Sequence, residues 1–233
     1  MKVEIWSDFV CPFCYIGKTK FENALAEFAH KDKVEVVYKS FELDPGEHPK
    51  QLTVGSLAKK YGMTEEKAKE MTHGVASQAA EVGLRFEFDN MYTANTFDVH
   101  RLMFLAQEKG MASTYVSTVL EAYFTHNVDI ADHAELIKLA VQAGLSEEDA
   151  EQVLSSDRYA TEVRADEQQA SNVGISGVPF FVLNNKYAIS GAQPQSVFLN
   201  ALEQTWAETN PTLVPLQGDD EVGLCGPDNC EIK

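Results

Sequence analysis

Lys2-Val3-Glu4-Ile5-Trp6-Ser7-Asp8-Phe9-Val10-Cys11-Pro12-Phe13-Cys14 is the stretch on which the fold turns. An apolar, strand-like run leads directly into two cysteines two residues apart, and a helix-like segment follows from Tyr15 to Phe28, with Phe21, Leu25 and Phe28 at helical spacing. A helix that begins at the cysteines directs unpaired N–H groups and the positive end of its dipole at Cys11. That environment favours the charged form of a sulfur. Pro12 suits the first helical turn, where its missing N–H costs nothing. The spacing is shared with zinc sites, and a second close pair, Cys225 and Cys230, keeps a four-thiol zinc site open as an alternative. The proline between the thiols and the strand-to-helix placement favour dithiol exchange.

Val34–Phe41 reads as a second strand, completing a β-α-β unit with a right-handed, parallel crossover. A turn at Asp44-Pro45-Gly46 follows, and from Thr53 to Ser171 the pattern is almost wholly helical. Thr64-Glu65-Glu66-Lys67 and Ser146-Glu147-Glu148-Asp149 carry the cap-plus-acid signature of helix starts, and Asn95 is placed to cap another helix that stops at Gly110. A helix from Asp157 to Asn172 leads out of this block, its Glu162, Arg164, Asp166 and Glu167 read as a solvated face. Then come two apolar runs joined by Asn184-Asn185, a β-hairpin signature, and a closing helix from Pro194 with Val197, Phe198, Ala201, Leu202 and Trp206 on one face. From Thr209 the pattern dissolves into a mobile tail that carries Cys225 and Cys230. The expected division is 1–52 with 172–208 as one α/β unit, 53–171 as a helical insertion and 209–233 as the tail.

The chain has 233 residues, of which 36 are Asp or Glu and 19 Lys or Arg, a net charge of −17 that repels phosphate backbones and anionic lipid. Nucleic acid and membrane partners are not expected. No basic region followed by an apolar one marks a secretory signal, so the expected compartment is the cytoplasm, where cysteines serve catalysis or sensing. No cofactor or metal is expected.

Strand, helix, strand, an all-helical insertion, then hairpin and helix is the order of an interrupted thioredoxin fold. The chain resembles the DsbA-like thioredoxin superfamily, in its FrnE-type cytosolic branch. The resemblance is carried by Ser7-Asp8-Phe9-Val10-Cys11-Pro12-Phe13-Cys14-Tyr15-Ile16-Gly17-Lys18, by Asn95-Thr96-Phe97-Asp98-Val99-His100-Arg101-Leu102, by Glu121-Ala122-Tyr123-Phe124, and by Gly177–Val182 with Ser190–Pro194. It implies an α/β thioredoxin fold and a thiol–disulfide oxidoreductase or disulfide isomerase acting as a monomer or homodimer on cysteine-containing polypeptides, with a low-molecular-weight thiol such as glutathione as a further partner. It assigns Cys11 as the exposed attacking thiol and Cys14 as the more buried resolving one. It also implies a cis Val178–Pro179 bond packed against them, with Val178, Pro179, Phe13 and Pro12 at the substrate, and an auxiliary C-x4-C pair at Cys225 and Cys230. A stretch of about fifteen residues reaches up to roughly 50 Å, enough for the tail to approach Cys11. Pro179 as a plain strand-initiating proline, and the tail pair as a simple disulfide or two free thiols, are the alternatives.

Phe13 stands where DsbA has a thiolate-supporting His, which implies a disulfide less oxidising than the roughly −120 mV of DsbA. Asp8 is either a charge opposing the thiolate or a solvated turn carboxylate. His100 and Arg101 are candidates for orienting a substrate or glutathione carboxylate. The superfamily's glutathione-dependent branch, the kappa-class transferases and hydroxychromene-carboxylate isomerases, is the second functional reading. Those relatives usually carry Ser in place of Cys11, and a pair of thiols argues for redox chemistry.

Overall fold

The computed structural model describes residues 1–46, 49–211, 224–225 and 230–231. At its centre is β1, Lys2–Ser7, whose residues Val3, Glu4, Ile5 and Trp6 are all buried, as a strand covered on both faces requires. It pairs in parallel with β2, Glu35–Ser40, setting Val3 opposite Val36 and Ile5 opposite Tyr38. On its other side it pairs antiparallel with β3, Phe180–Leu183, which continues into β4, Tyr187–Ser190. The strand order is β2-β1-β3-β4. The hairpin turn places Asn184 and Asn185 at φ 47° and 54°, and Lys186 N–H donates to Leu183 O at 3.0 Å. Two left-handed residues in succession make the twisted turn that a tight hairpin needs, and Asn tolerates that conformation.

Helix α1, Pro12–Glu27, makes the crossover between β1 and β2 and packs beside the closing helix, Gln195–Thr209. Phe21, Phe181 and Phe198 lock the two helices onto the sheet, with ring centroids 5.6 Å apart for Phe21 and Phe181 and 4.7 Å for Phe181 and Phe198. Val197, expected on the same face as Phe198 and Leu202, is exposed, because one step of 100° around the helix turns it from the sheet.

Between β2 and β3 the described residues form seven helices: α2 Thr53–Tyr61, α3 Glu65–Ala80, α4 Phe97–Glu108, α5 Ala112–His126, α6 His133–Gln142, α7 Glu147–Leu154 and α8 Ala160–Asn172. The closing helix is therefore α9. Thr64 and Ser146 cap α3 and α7 through Lys67 N–H at 3.3 Å and Asp149 N–H at 3.1 Å. Thr96, not Asn95, occupies the cap position of α4, while the Asn95 side chain accepts from Phe97 N–H at 3.0 Å from one residue earlier. Helix α8 starts at Ala160, not Asp157, after Tyr159 in a left-handed conformation.

The polar content of α8 is a solvated face only in part: Glu162 and Arg164 are exposed, Glu167 is half-buried, and Asp166 departs from the expectation. Asp166 is buried, its carboxylate accepting from Ser40 N–H at 3.0 Å and pairing with Lys39 at 2.7 Å, while its carbonyl accepts from Trp6 Nε1 at 3.2 Å. Arg164 pairs with the buried carboxylate of Glu42. These contacts close the sheet face opposite α1. Among the described residues no helix is long and apolar enough to cross a membrane. Residues 224–225 and 230–231 form a two-stranded ladder, β5 and β6, with Cys225 opposite Cys230. Their side chains, and the tail from 212 to 223, lie outside the described residues.

Candidate active site around a sheltered dithiol

β1 ends at Ser7, and a turn closed by Cys11 N–H donating to Asp8 O at 3.3 Å carries the chain into α1. Cys11 occupies the N-cap position with an extended backbone, φ −92° and ψ 111°, and Pro12 follows in the first turn. Cys14 N–H donates to Cys11 O at 3.1 Å, which holds the two thiols together. Cys11 makes no side-chain cap. Its thiol instead donates to Val178 O at 3.6 Å, a residue brought from far along the chain.

The expectation of an exposed Cys11 needs correcting. It keeps 4% of its surface accessible against 1% for Cys14, because the Val178–Pro179 segment lies across the first sulfur. Cys14 is the deeper of the two. Burial pushes its thiol well up, and the neighbouring Cys11 adds to this, while contacts with the Ser7 hydroxyl and the Asp8 N–H act the other way.

The Val178–Pro179 bond is cis, the isomer the resemblance implies. Gly17 lets this segment settle onto α1: a Cβ there would lie 3.0 Å from Pro179 Cγ and 3.4 Å from Ala192 Cα. Gly17 lies in the stretch that carries the family resemblance, and a glycine inside a helix is in its own right a signal of close approach. A cleft of 380 Å³ borders the segment, with Ser176, Gly177, Val178, Pro179, Ser190 and Gly191 in its lining. Among the described residues Val178 N–H has no acceptor, leaving an extended ligand a donor to meet. Phe13 is exposed at 39% and Pro12 half-buried, next to the thiols in the chain. A larger hollow of 580 Å³, near Lys2, Asn184 and Trp206, sits at the opposite end of β1 from the thiols.

Asp8 is no solvated turn carboxylate. It is buried, with Oδ2 accepting from Leu43 N–H at 2.8 Å and Oδ1 lying 3.4 Å from His100 Nε2. His100 is fully buried with its ring edge-on to Phe9, so it cannot reach a substrate in the cleft. Arg101 is not free for a carboxylate either. Its Nε donates to Arg158 O at 2.9 Å, its guanidinium also bonds the carbonyls of Val153 and Ser156, and Nη1 meets Asp98 Oδ1 at 2.7 Å. Asp98 pairs with Arg101 and His133, not with His100. Among the described residues no group of three or more His, Cys, Asp or Glu is assembled to hold a metal, and the four-thiol reading depends on the undescribed side chains of Cys225 and Cys230.

Two thiols at the amino end of a helix, under a proline segment on a four-stranded sheet, form an arrangement able to exchange disulfides. Residues 2–203 match the DSBA-like thioredoxin domain. The chain belongs to the DsbA-like thioredoxin family. Within reach of that family, the uncharacterized protein YwbO of Bacillus subtilis (strain 168) is 30% identical over 205 residues, covering 86% of this chain and 94% of that protein. The probable DsbA oxidoreductase SCO1869 from Streptomyces coelicolor superimposes with a TM-score of 0.85 at 44% identity, over 100% of this chain and 99% of that one. The cytosolic disulfide reductase DsbM from Pseudomonas aeruginosa, solved with GSH, shares the fold with a TM-score of 0.65 at 16% identity, over 88% of this chain and 98% of that one.

Proposed function

We propose that this DsbA-like protein is a thiol–disulfide oxidoreductase acting on polypeptide cysteines in the cytoplasm, with Cys11 as the attacking sulfur and Cys14 as the resolving one. The observation that carries this reading is the 3.6 Å approach of Cys11 Sγ to Val178 O at the amino end of α1, with Cys14 sheltered behind it. Cys11 as thiolate attacks a substrate disulfide, forming a Cys11–substrate bond and expelling the partner sulfur as a thiolate. Cys14 then attacks Cys11 Sγ, forming the Cys11–Cys14 disulfide and releasing the substrate thiolate. An extended peptide lies along the cleft, paired with the free Val178 N–H, with Pro179, Pro12 and Phe13 around its cysteine. The cytoplasmic assignment follows the FrnE-type resemblance, and the name of the DsbM fold relative agrees with it. Cys225 and Cys230 serve as an auxiliary pair that exchanges with Cys11.

Insulin reduction and the refolding of scrambled ribonuclease test the proposal. Cys11→Ser abolishes both activities, Cys14→Ser accumulates mixed disulfides, and a double serine variant of Cys225 and Cys230 slows turnover without blocking the first exchange. Full activity in Cys11→Ser sinks the reading. The glutathione seen with DsbM supports a second reading, a glutathione-dependent reaction on a small molecule. That chemistry needs one sulfur, so it survives in Cys14→Ser.

A further inference from the structure

Two glycines on the cleft beside the thiols, Gly174 and Gly191, have φ 79°, a backbone that other residues rarely adopt. Gly177, on the same cleft, is different. Its φ lies outside the left-handed region, and a Cβ built on it meets nothing within 4 Å. Neither its backbone nor its packing requires the absence of a side chain. The residue is exposed and precedes Val178, whose carbonyl lies 3.6 Å from Cys11 Sγ. A polypeptide paired with Val178 therefore passes Gly177 within a residue or two of its reacting cysteine. Directly opposed residues of antiparallel chains share a face, so the residue opposite Gly177 turns its side chain to the side where Gly177 has none.

The cleft states which side chain that is. Val178 and Phe180 are half-buried, packed against Trp6 and Ile175, and the register of β3 and β4 sets Phe180 opposite Ser190 on one face. Together with Pro179 they give an apolar floor, and the exposed Ser176 and Ser190 give a rim of hydroxyls with no partner among the described residues. The described lining holds no Asp, Glu, Lys or Arg. Its 380 Å³ falls within the range of about 300–1,000 Å³ usual for clefts that hold compact organic groups. An apolar body with a polar tip matches this surface, which is the chemistry of tyrosine and tryptophan. We propose that Gly177 determines specificity: its missing side chain admits an aromatic residue of the polypeptide within two residues of the reacting cysteine, so that such cysteines are preferred. This rests on the polypeptide reading above and deepens it by naming the class of substrate.

The test uses the full-length reduced protein and two short peptides that differ only beside their single cysteine, with Tyr at the two positions on either side in one and Gly in the other. Each cysteine is presented as a mixed disulfide with 5-thio-2-nitrobenzoate. Cys11 thiolate attacks the peptide sulfur, the Cys11–peptide bond forms, and the coloured aromatic thiolate, the better leaving group, departs. Each rate is divided by that of the same peptide with dithiothreitol, which removes the peptide's own reactivity. In the parent the Tyr peptide is favoured over the Gly peptide at least about tenfold, in Gly177→Val the ratio falls to about two or less, and Gly177→Ala lies between. The ratio cancels any change in the thiol itself. A parent ratio near one overturns the proposal, and so does a folded Gly177→Val that keeps the parent ratio, including one that slows both peptides equally. Where Gly177→Val does not fold, Gly177→Ala decides, and a parent-like ratio in it overturns the proposal. Brisk and equal reaction of both peptides sinks this inference alone. Two inert peptides, with 5,5′-dithiobis(2-nitrobenzoate) still consumed, remove the polypeptide reading along with it.

Discussion

Phe13, exposed between two sheltered thiols, offers the dithiol no hydrogen bond and no charge. The disulfide potential is accordingly expected to lie well below the roughly −120 mV of DsbA, and Phe13→His to raise it by about 30 mV or more, as measured by equilibration with glutathione buffers. Asp166 gives a second prediction. Burial lifts its carboxyl above the ordinary range, against the opposing pull of Lys39 and Ser40 N–H, and Glu42 is lifted likewise. A carboxyl raised in the folded state contributes stability that is complete below its unfolded value and is lost as pH rises through its folded value. Asp166→Asn should therefore compare worse with the parent near pH 5 than near pH 7 in urea unfolding. The spacing and flanks of Cys11 and Cys14 were legible in the chain, because a strand, a proline and a helix start are local signals. Asp166, Arg101 and the shelter over Cys11 were not, since Ser40, Ser156 and Val178 come from remote segments and a polar side chain does not announce its distant partner.

Helix α1 and the Pro179 segment meet at Gly17 with no room for a methyl group. Gly17→Ala is expected to displace that segment, lower exchange activity severalfold and destabilise the protein by about 1–3 kcal/mol, measured by insulin turnover and denaturant melts. Helix α4 is bound to the chain between α7 and α8 by Arg101 through three backbone carbonyls. Arg101→Met leaves those carbonyls unmet and should cost about 2–4 kcal/mol, with the rate of Cys11 exchange per folded molecule little changed. That outcome separates the structural role seen here from the carboxylate-binding role expected of it. Strong periodicity and the capping residues Thr64 and Ser146 made α3 and α7 readable. The start of α8 was not, because the Arg101 anchor and the left-handed Tyr159 set it.

The whole molecule carries a net charge of −17, so substrates with basic flanks should be engaged faster than acidic ones of equal cysteine reactivity, and the advantage should shrink from low salt to about 0.5 M. Stopped-flow rates with a matched pair of peptides check this. The overall architecture was legible because the order of strands and helices allows few topologies once the crossover hand is fixed. Which sheet face each helix covers depended on contacts such as Trp6 with Asp166, which no local pattern carries. The interrupted order also has a consequence on the ribosome. Cys11 leaves the exit tunnel early, but Val178, which covers it, is translated only after all seven inserted helices. At about 5–20 residues per second the nascent thiol waits roughly ten to thirty seconds without its cover. During that interval it is open to peroxide and to adventitious disulfide formation, a hazard that ends only when synthesis has passed β3.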